Sequence, residues 1–215
     1  QTGPDRFALD VTGTGAGTDI AAKGTLETPP EGTAFSGNAR VEVNSLGAFS
    51  QLAGRPLSGS VSLDASGRAR LDVAQFVLEL DGVANDLGVG IAPIDRMLAG
   101  RAQVNAALDR GPDGLVVRDF DIKSTLLQAD AQGTLSGAES DLQFAARVDP
   151  RAFSDRGSLP PIALVGRFEG AADGTVGLDV TGSGPGASVR LSGELKDRSL
   201  APSLSGNANL SVEDL

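Results

Sequence analysis

Two pairs of acidic residues are the first candidates for chemistry in this sequence. Glu79 is followed two residues later by Asp81, and Asp119 by Asp121. Two carboxylates on one face of a strand could act together as a general acid and a general base. Each pair alternates with apolar residues, however, so the carboxylates fall on the wet face of their strands, where nothing apolar would shift a pKa. We expect solvated surface carboxylates and predict no catalytic residues and no enzyme.

Two glycine-rich stretches have the composition of loops that cradle phosphate groups. They cover residues 13–17 (Gly-Thr-Gly-Ala-Gly) and 182–186 (Gly-Ser-Gly-Pro-Gly). A phosphate-binding loop must lead from a strand into a helix, so that the helix N-terminus meets the phosphate. Both stretches lead into a second strand-like segment instead, and Pro185 lacks an amide donor. The sequence therefore predicts hairpin turns here and no cofactor.

The composition narrows the function further. The chain has no His and no Cys, which excludes soft-metal sites, thiol nucleophiles and histidine-based triads. Its net charge of −10 argues against binding to nucleic acid and against electrostatic docking on anionic lipid head groups. The lack of Cys does not decide the compartment. No apolar run reaches the length of about 18 residues that a membrane-spanning helix needs.

Most of the chain shows the period-two alternation of β-strands, as in Phe7, Leu9 and Val11. We predict about fourteen to sixteen short strands, with tight turns at Ser66-Gly67 and Asp81-Gly82 among others. Three short helices are predicted near Leu46, Pro93 and Asp149, the first capped by Ser45 and ended by Gly54. None of the predicted connections contains a helix long enough to link two parallel strands. The sheet should therefore be an antiparallel meander.

The beginning of the chain is repeated near its end. The stretch Leu-Asp-Val-Thr-Gly-x-Gly occurs at Leu9 and again at Leu178, 169 residues later, and the same offset relates Ser36-Gly37-Asn38-Ala39 to Ser205-Gly206-Asn207-Ala208. Residues 9–46 thus recur at 178–215 without an insertion. We interpret residues 1–215 as one continuous, elongated β-repeat segment of a larger protein.

The apolar strand positions should line one dry surface of the sheet. Periodicity by itself favours a β-sandwich or solenoid that packs this surface on itself, and an open trough with a dry interior is the alternative. The candidate lining residues are Leu9, Val11, Ile20, Leu63, Leu71, Phe76, Leu78, Val89, Leu108, Phe120, Ile122, Leu135, Phe144, Leu164, Phe168, Leu178, Val189, Leu191 and Leu210.

Several short motifs resemble those of the AsmA-like proteins, and within that group the TamB family of alphaproteobacterial type. They are the repeated Leu-Asp-Val-Thr-Gly-x-Gly stretch, the Leu-Ser-Gly steps at Leu57, Leu135, Leu191 and Leu204, and the Leu-Ala-Gly-Arg helix ends at Leu52 and Leu98. The resemblance covers the whole chain but includes no catalytic motif.

The resemblance implies an all-β fold, a long curved antiparallel sheet forming an open hydrophobic trough (a β-taco) with a few short helices between groups of strands. It implies a periplasmic location, in a protein anchored to the inner membrane by a segment outside this sequence. The expected function is a groove for phospholipid transport between the inner and outer membranes, with acyl chains as the ligand and TamA or another outer-membrane partner bound elsewhere. The alternatives are a chaperone that assembles outer-membrane β-barrel proteins by strand addition and, outside the family, a secreted β-solenoid adhesin.

Overall fold

The computed structural model describes residues 5–28, 32–136, 139–153, 160–171, 175–184, 186–196 and 203–212. Thirteen strands in these ranges form one antiparallel sheet, and each strand pairs with the next along the chain. The strands are β1 (Asp5–Gly15), β2 (Thr18–Thr28), β3 (Ala34–Val43), β4 (Ser58–Arg70), β5 (Gln75–Gly88), β6 (Arg101–Gly111), β7 (Gly114–Lys123), β8 (Leu127–Leu135), β9 (Ser140–Val148), β10 (Ile162–Gly170), β11 (Val176–Gly184), β12 (Ala187–Lys196) and β13 (Ser203–Val212).

The sheet is an open meander, as the all-β antiparallel prediction requires. The strand order runs from β1 to β13 without a crossover, and among the described strands β1 and β13 do not pair to close a barrel. No second layer covers the sheet in the described part of the chain, so neither a sandwich nor a parallel solenoid forms. At about 4.8 Å between strands, the sheet is about 60 Å long.

Two of the predicted turns lie inside strands. For this reason the strands are fewer and longer than the sequence predicts. Ser66-Gly67 lies within β4 and Asp81-Gly82 within β5, and the chain reverses at residues 71–74 instead. A Cβ at Gly82 would overlap the side chain of Leu63 on β4, and one at Gly67 would overlap the Val77 carbonyl. At these positions the absence of a side chain lets the adjacent strand approach closely, so the glycines do not mark turns.

All three helical interruptions are present where the sequence predicts them. A 3₁₀ turn (Leu46–Phe49) continues into α1 (Ser50–Ala53), α2 (Ala92–Met97) follows β5, and a second 3₁₀ turn (Pro150–Ala152) follows β9. Gly54 ends α1 with a left-handed φ of 65°, as predicted, but the Ser45 side chain makes no capping hydrogen bond.

The helical segments all lie at one end of the sheet, which we call the helical end. In a meander, every odd-numbered strand runs toward the same end, and the helical segments follow β3, β5 and β9. The segment α2 contacts the 3₁₀ turn at Pro150–Ala152, although β7 and β8 separate their strands. The Ser124 hydroxyl, in the β7–β8 turn, donates to the Met97 carbonyl at the end of α2. These contacts join segments at the helical end that β7 and β8 separate along the sheet.

The sequence repeat is also a repeat of strand pairing. Leu9 pairs with Gly24 and Gly24 with Gly37, and Leu178 pairs with Gly193 and Gly193 with Gly206 in the same way. The glycine-rich stretch at 13–17 forms the expected hairpin, in which Ala16 and Gly17 both have positive φ. Gly184 and Ala187 pair across the second turn, while Pro185 and residues 213–215 of the second copy lie outside the described residues.

Candidate apolar binding face

The pairing register gives the sheet one apolar face and one polar face. Directly opposed residues share a face, so the register can be followed from strand to strand across the whole sheet. The sixteen predicted lining residues on the apolar face are Leu9, Val11, Ile20, Leu63, Phe76, Leu78, Leu108, Phe120, Ile122, Leu135, Phe144, Leu164, Phe168, Leu178, Val189 and Leu191.

Of the other three candidates, one has a register position on this face and two lie outside the sheet. Leu210 lies on β13 at the register position opposite Val189. Leu71 lies in the turn between β4 and β5 and is 60% exposed, so it does not belong to the face. Val89 lies beyond the end of β5, where its backbone N–H donates to the Asp95 carboxylate at 2.6 Å. The apolar alternation of the sequence continues past the ends of β4 and β5. For this reason the prediction that Leu71 and Val89 lie on the sheet is wrong.

Several further apolar residues, not among the predicted lining residues, lie on the apolar face. Phe35, Val41, Leu80, Val104 and Leu142 occupy the same face on β3, β5, β6 and β9. These residues alternate with polar neighbours along their strands, and this alternation predicts their position on the apolar face.

The apolar face is not covered, although much of it is half-buried by its own side chains. The exposed surface of the chain is 13806 Å², against about 9,200 Å² for a compact protein of this mass. No large side chain in the described chain is fully buried. Toward the sheet edges the apolar side chains are openly exposed, with Phe7 at 56% and Ile20 at 46%.

Large side chains on this face lie over glycines of the neighbouring strand. A Cβ at Gly24 on β2 would come within 2.7 Å of the Phe35 ring on β3, and a Cβ at Gly166 on β10 would overlap the ring of Phe144 on β9. The aromatic rings therefore lie flat against the sheet. The result, where rings cover glycines in the described sheet, is a largely hydrocarbon surface.

The helical end of the apolar face is closed. Ala84, Ala102 and Val148 lie on this face at the ends of β5, β6 and β9, and each is at most 2% exposed. Leu98 after α2 and Ala152 in the 3₁₀ turn are buried with them. The helical segments therefore form a wall over this end. At the opposite end Ser140 on β9 is also buried, but Phe76 on β5 is only half-buried and Arg110 on β6 is exposed.

Cross-strand ion pairs organise the polar face. Arg40 donates two hydrogen bonds of 2.8 Å to Asp64 on β4, and Arg167 donates two of 2.8 Å to Asp141 on β9. These hydrogen bonds lower the pKa of Asp64 and of Asp141 below the usual value for aspartate. Bidentate pairs between adjacent strands help to fix the strand register.

The candidate acid–base carboxylates lie on the polar face, as predicted. Glu79, Asp81 and Asp119 are exposed and Asp121 is half-buried. No group of acidic residues in the described ranges could hold a metal ion. Three of the four carboxylates are therefore in contact with solvent, as the alternation of the sequence predicts.

Shallow clefts are found on the polar face and at the sheet ends. One, of about 600 Å³, lies on the polar face beside Asp179 and Ser192. Another, of about 240 Å³, lies at the end opposite the helices and is lined by Phe76 and Arg110, among others. Binding on the apolar face would therefore use an open surface and not an enclosed cavity.

No protein-family model, curated protein or solved structure matches this chain in the comparisons made with each. In the described part of the chain, no helix has the length and apolar character needed to cross a membrane.

Proposed function

We propose that the apolar face holds the acyl chains of phospholipids, as one segment of a periplasmic conduit of the TamB type that carries lipid between the inner and outer membranes. One observation carries the proposal: a single apolar face runs across all thirteen strands, and no second layer of the described chain covers it. Exposed apolar surface of this extent is unusual for a protein with no partner to cover it.

The chemistry of the face suits hydrocarbon chains that must slide. Each buried CH₂ group contributes about 0.8 kcal/mol, so an acyl chain is held by its length and not by any one contact. Where large side chains lie flat over glycines, as Phe144 does over Gly166, the surface offers few polar groups that would fix a lipid in place.

Neighbouring residues on β10 provide a matched test. Leu164 lies on the apolar face and Val165 lies on the polar face, where it is 63% exposed. A photoreactive benzophenone side chain at each position, in the purified chain mixed with vesicles of phosphatidylethanolamine and phosphatidylglycerol, distinguishes the faces. We expect lipid adducts from position 164 and not from position 165. Equal labelling at both positions, or none at 164, would contradict the proposal.

A second candidate function rests on β1, which among the described strands pairs on one side only. It is eleven residues long, contains no proline, and is exposed along almost its whole length. A long regular edge can template a strand of another protein, as a chaperone for outer-membrane proteins would require. Benzophenone at Ala8 would then crosslink to a client β-strand peptide, whereas the lipid proposal predicts no such adduct.

We do not propose the adhesin. A β-solenoid adhesin would bury its apolar residues in a closed core, whereas the described strands form one open antiparallel sheet.

A further inference from the structure

Arg110 interrupts the apolar face at the end opposite the helical segments. It continues the alternation of Val104, Ala106 and Leu108 on β6, and it pairs directly with Phe76 on β5. At the described positions that the pairing register assigns to this face, the charged residues are Arg110, on a central strand, and Asp5, on the edge strand β1. A charged side chain is readily solvated on the polar face of the sheet. The position of Arg110 on the apolar face therefore indicates a specific role.

The Arg110 side chain is exposed, and among the described residues its guanidinium makes no ion pair. Other arginines on the sheet, such as Arg40 and Arg167, pair with carboxylates across the strands. Arg110 therefore presents its hydrogen-bond donors at the edge of the apolar face, beside Phe76 in the cleft of about 240 Å³. A guanidinium suits the oxygens of a phosphodiester.

The strand between the wall and Arg110 has the length of an acyl chain. On β6, Ala102 is fully buried at the helical end, and the apolar stretch from Ala102 to Leu108 is about 20 Å long. The hydrocarbon layer of a bilayer is about 30 Å thick, so one leaflet takes about half of that. By length, therefore, an acyl chain laid along β6 spans most of the distance from the wall to Arg110.

We infer that the apolar face binds phospholipid in one orientation, with the acyl chains directed toward the helical end and the phosphodiester held by Arg110 at the opposite end. This inference rests on the proposed function, because it takes phospholipid as the occupant of the face. With a net charge of −10, the protein favours a zwitterionic head group over an anionic one, and we commit to phosphatidylethanolamine.

The test compares two lipids that differ only in the head group. Pyrene-labelled phosphatidylethanolamine and diacylglycerol with the same two chains are offered to the chain from cyclodextrin complexes. We expect Arg110→Gln to weaken binding of phosphatidylethanolamine by about fivefold, the range of an exposed charge pair, and to leave diacylglycerol binding unchanged.

A control variant on the same strand separates a specific contact from loss of charge. Arg101 is also exposed, but it lies on the polar face at the helical end of β6. Arg101→Gln should bind both lipids as the wild type does.

Each remaining outcome has a defined meaning. If Arg110→Gln binds phosphatidylethanolamine normally, or if Arg101→Gln weakens it equally, the orientation is wrong while the lipid-binding face stands. If the wild type binds neither lipid, the proposed function fails and the Arg110 contact fails with it. Because Arg110 is exposed, the variant should fold, and circular dichroism checks this.

Discussion

The ring of Phe144 lies against the backbone of Gly166, its direct partner across β9 and β10. On β3, Phe35 lies in a similar way over Gly24 of β2, although Gly24 is its diagonal neighbour and Leu26 is its direct partner. In a single-layer sheet no facing layer fills the space above a large side chain. Glycine on the adjacent strand lets the ring cover backbone instead, and this supplies packing that a second layer would otherwise provide.

Gly166→Val tests this packing. A branched side chain at this position would displace the Phe144 ring, and we expect a loss of about 2 kcal/mol or more in the free energy of unfolding. The measurement is urea denaturation followed by circular dichroism. Gly177→Ala is the control, because a Cβ there meets its nearest atom, the Glu169 carbonyl oxygen, at 3.7 Å. The packing explanation fails if the two variants lose similar amounts of stability.

The Arg167–Asp141 pair predicts a pH-dependent contribution to stability. The hydrogen bonds from Arg167 lower the pKa of Asp141 in the folded chain. A lowered carboxyl pKa stabilises the fold above the unfolded value, near pH 4, and this stabilisation is lost as the pH falls through the folded pKa. Arg167→Gln should therefore raise the pKa of Asp141 toward its ordinary value and lower the thermal midpoint at pH 7.

The thermal midpoints of the wild type and of Arg167→Gln should become equal at acidic pH, where Asp141 is protonated in both proteins. Carbon-detected NMR titration of the Asp141 carboxyl group measures the pKa directly. Arg190→Gln is the control, since Arg190 lies on the polar face opposite Thr181 and Asn209, neither of which is acidic. A pKa of Asp141 that is unchanged in Arg167→Gln would contradict the assignment.

Ser124 joins the β7–β8 turn to the wall at the helical end. Its hydroxyl donates to the Met97 carbonyl and accepts from the Leu127 N–H at 3.0 Å. Ser124→Ala removes both hydrogen bonds and should cost about 1–2 kcal/mol of stability. Amide hydrogen exchange should become faster at residues 97–100 and in the turn. Ser124→Thr keeps the hydroxyl and should behave as the wild type; equal exchange in all three proteins would show that Ser124 does not hold the wall.

Much of this architecture can be derived from the sequence. Alternation at Leu9, Val11 and Leu178 identifies strands and the face on which each side chain lies, because the side-chain period of a strand is two. Gly54 predicts the end of α1 because a left-handed residue there favours glycine. The carboxylates at Glu79 and Asp81 are predicted on the polar face by the same alternation.

Other features depend on neighbours that are distant in sequence. In the sequence, Gly67 and Gly82 resemble turn residues, and only their cross-strand neighbours show that they lie inside strands. Leu71 resembles a strand residue, and only the structure shows that it lies in the turn where the chain reverses. Arg110 is one polar residue among many until the register places it with Phe76 and Leu108 on the apolar face.

The sequence by itself determined the alternation, most of the strands, the meander and the three helical interruptions, because these depend on local periodicity and on residues that favour turns and helix ends. Only the tertiary structure decided that no second layer of the described chain covers the apolar face and that its helical end is closed by a wall over Ala84, Ala102 and Val148. Alternation states which side chains avoid water but not what covers them. That depends on how far the sheet curves and on which distant segments meet.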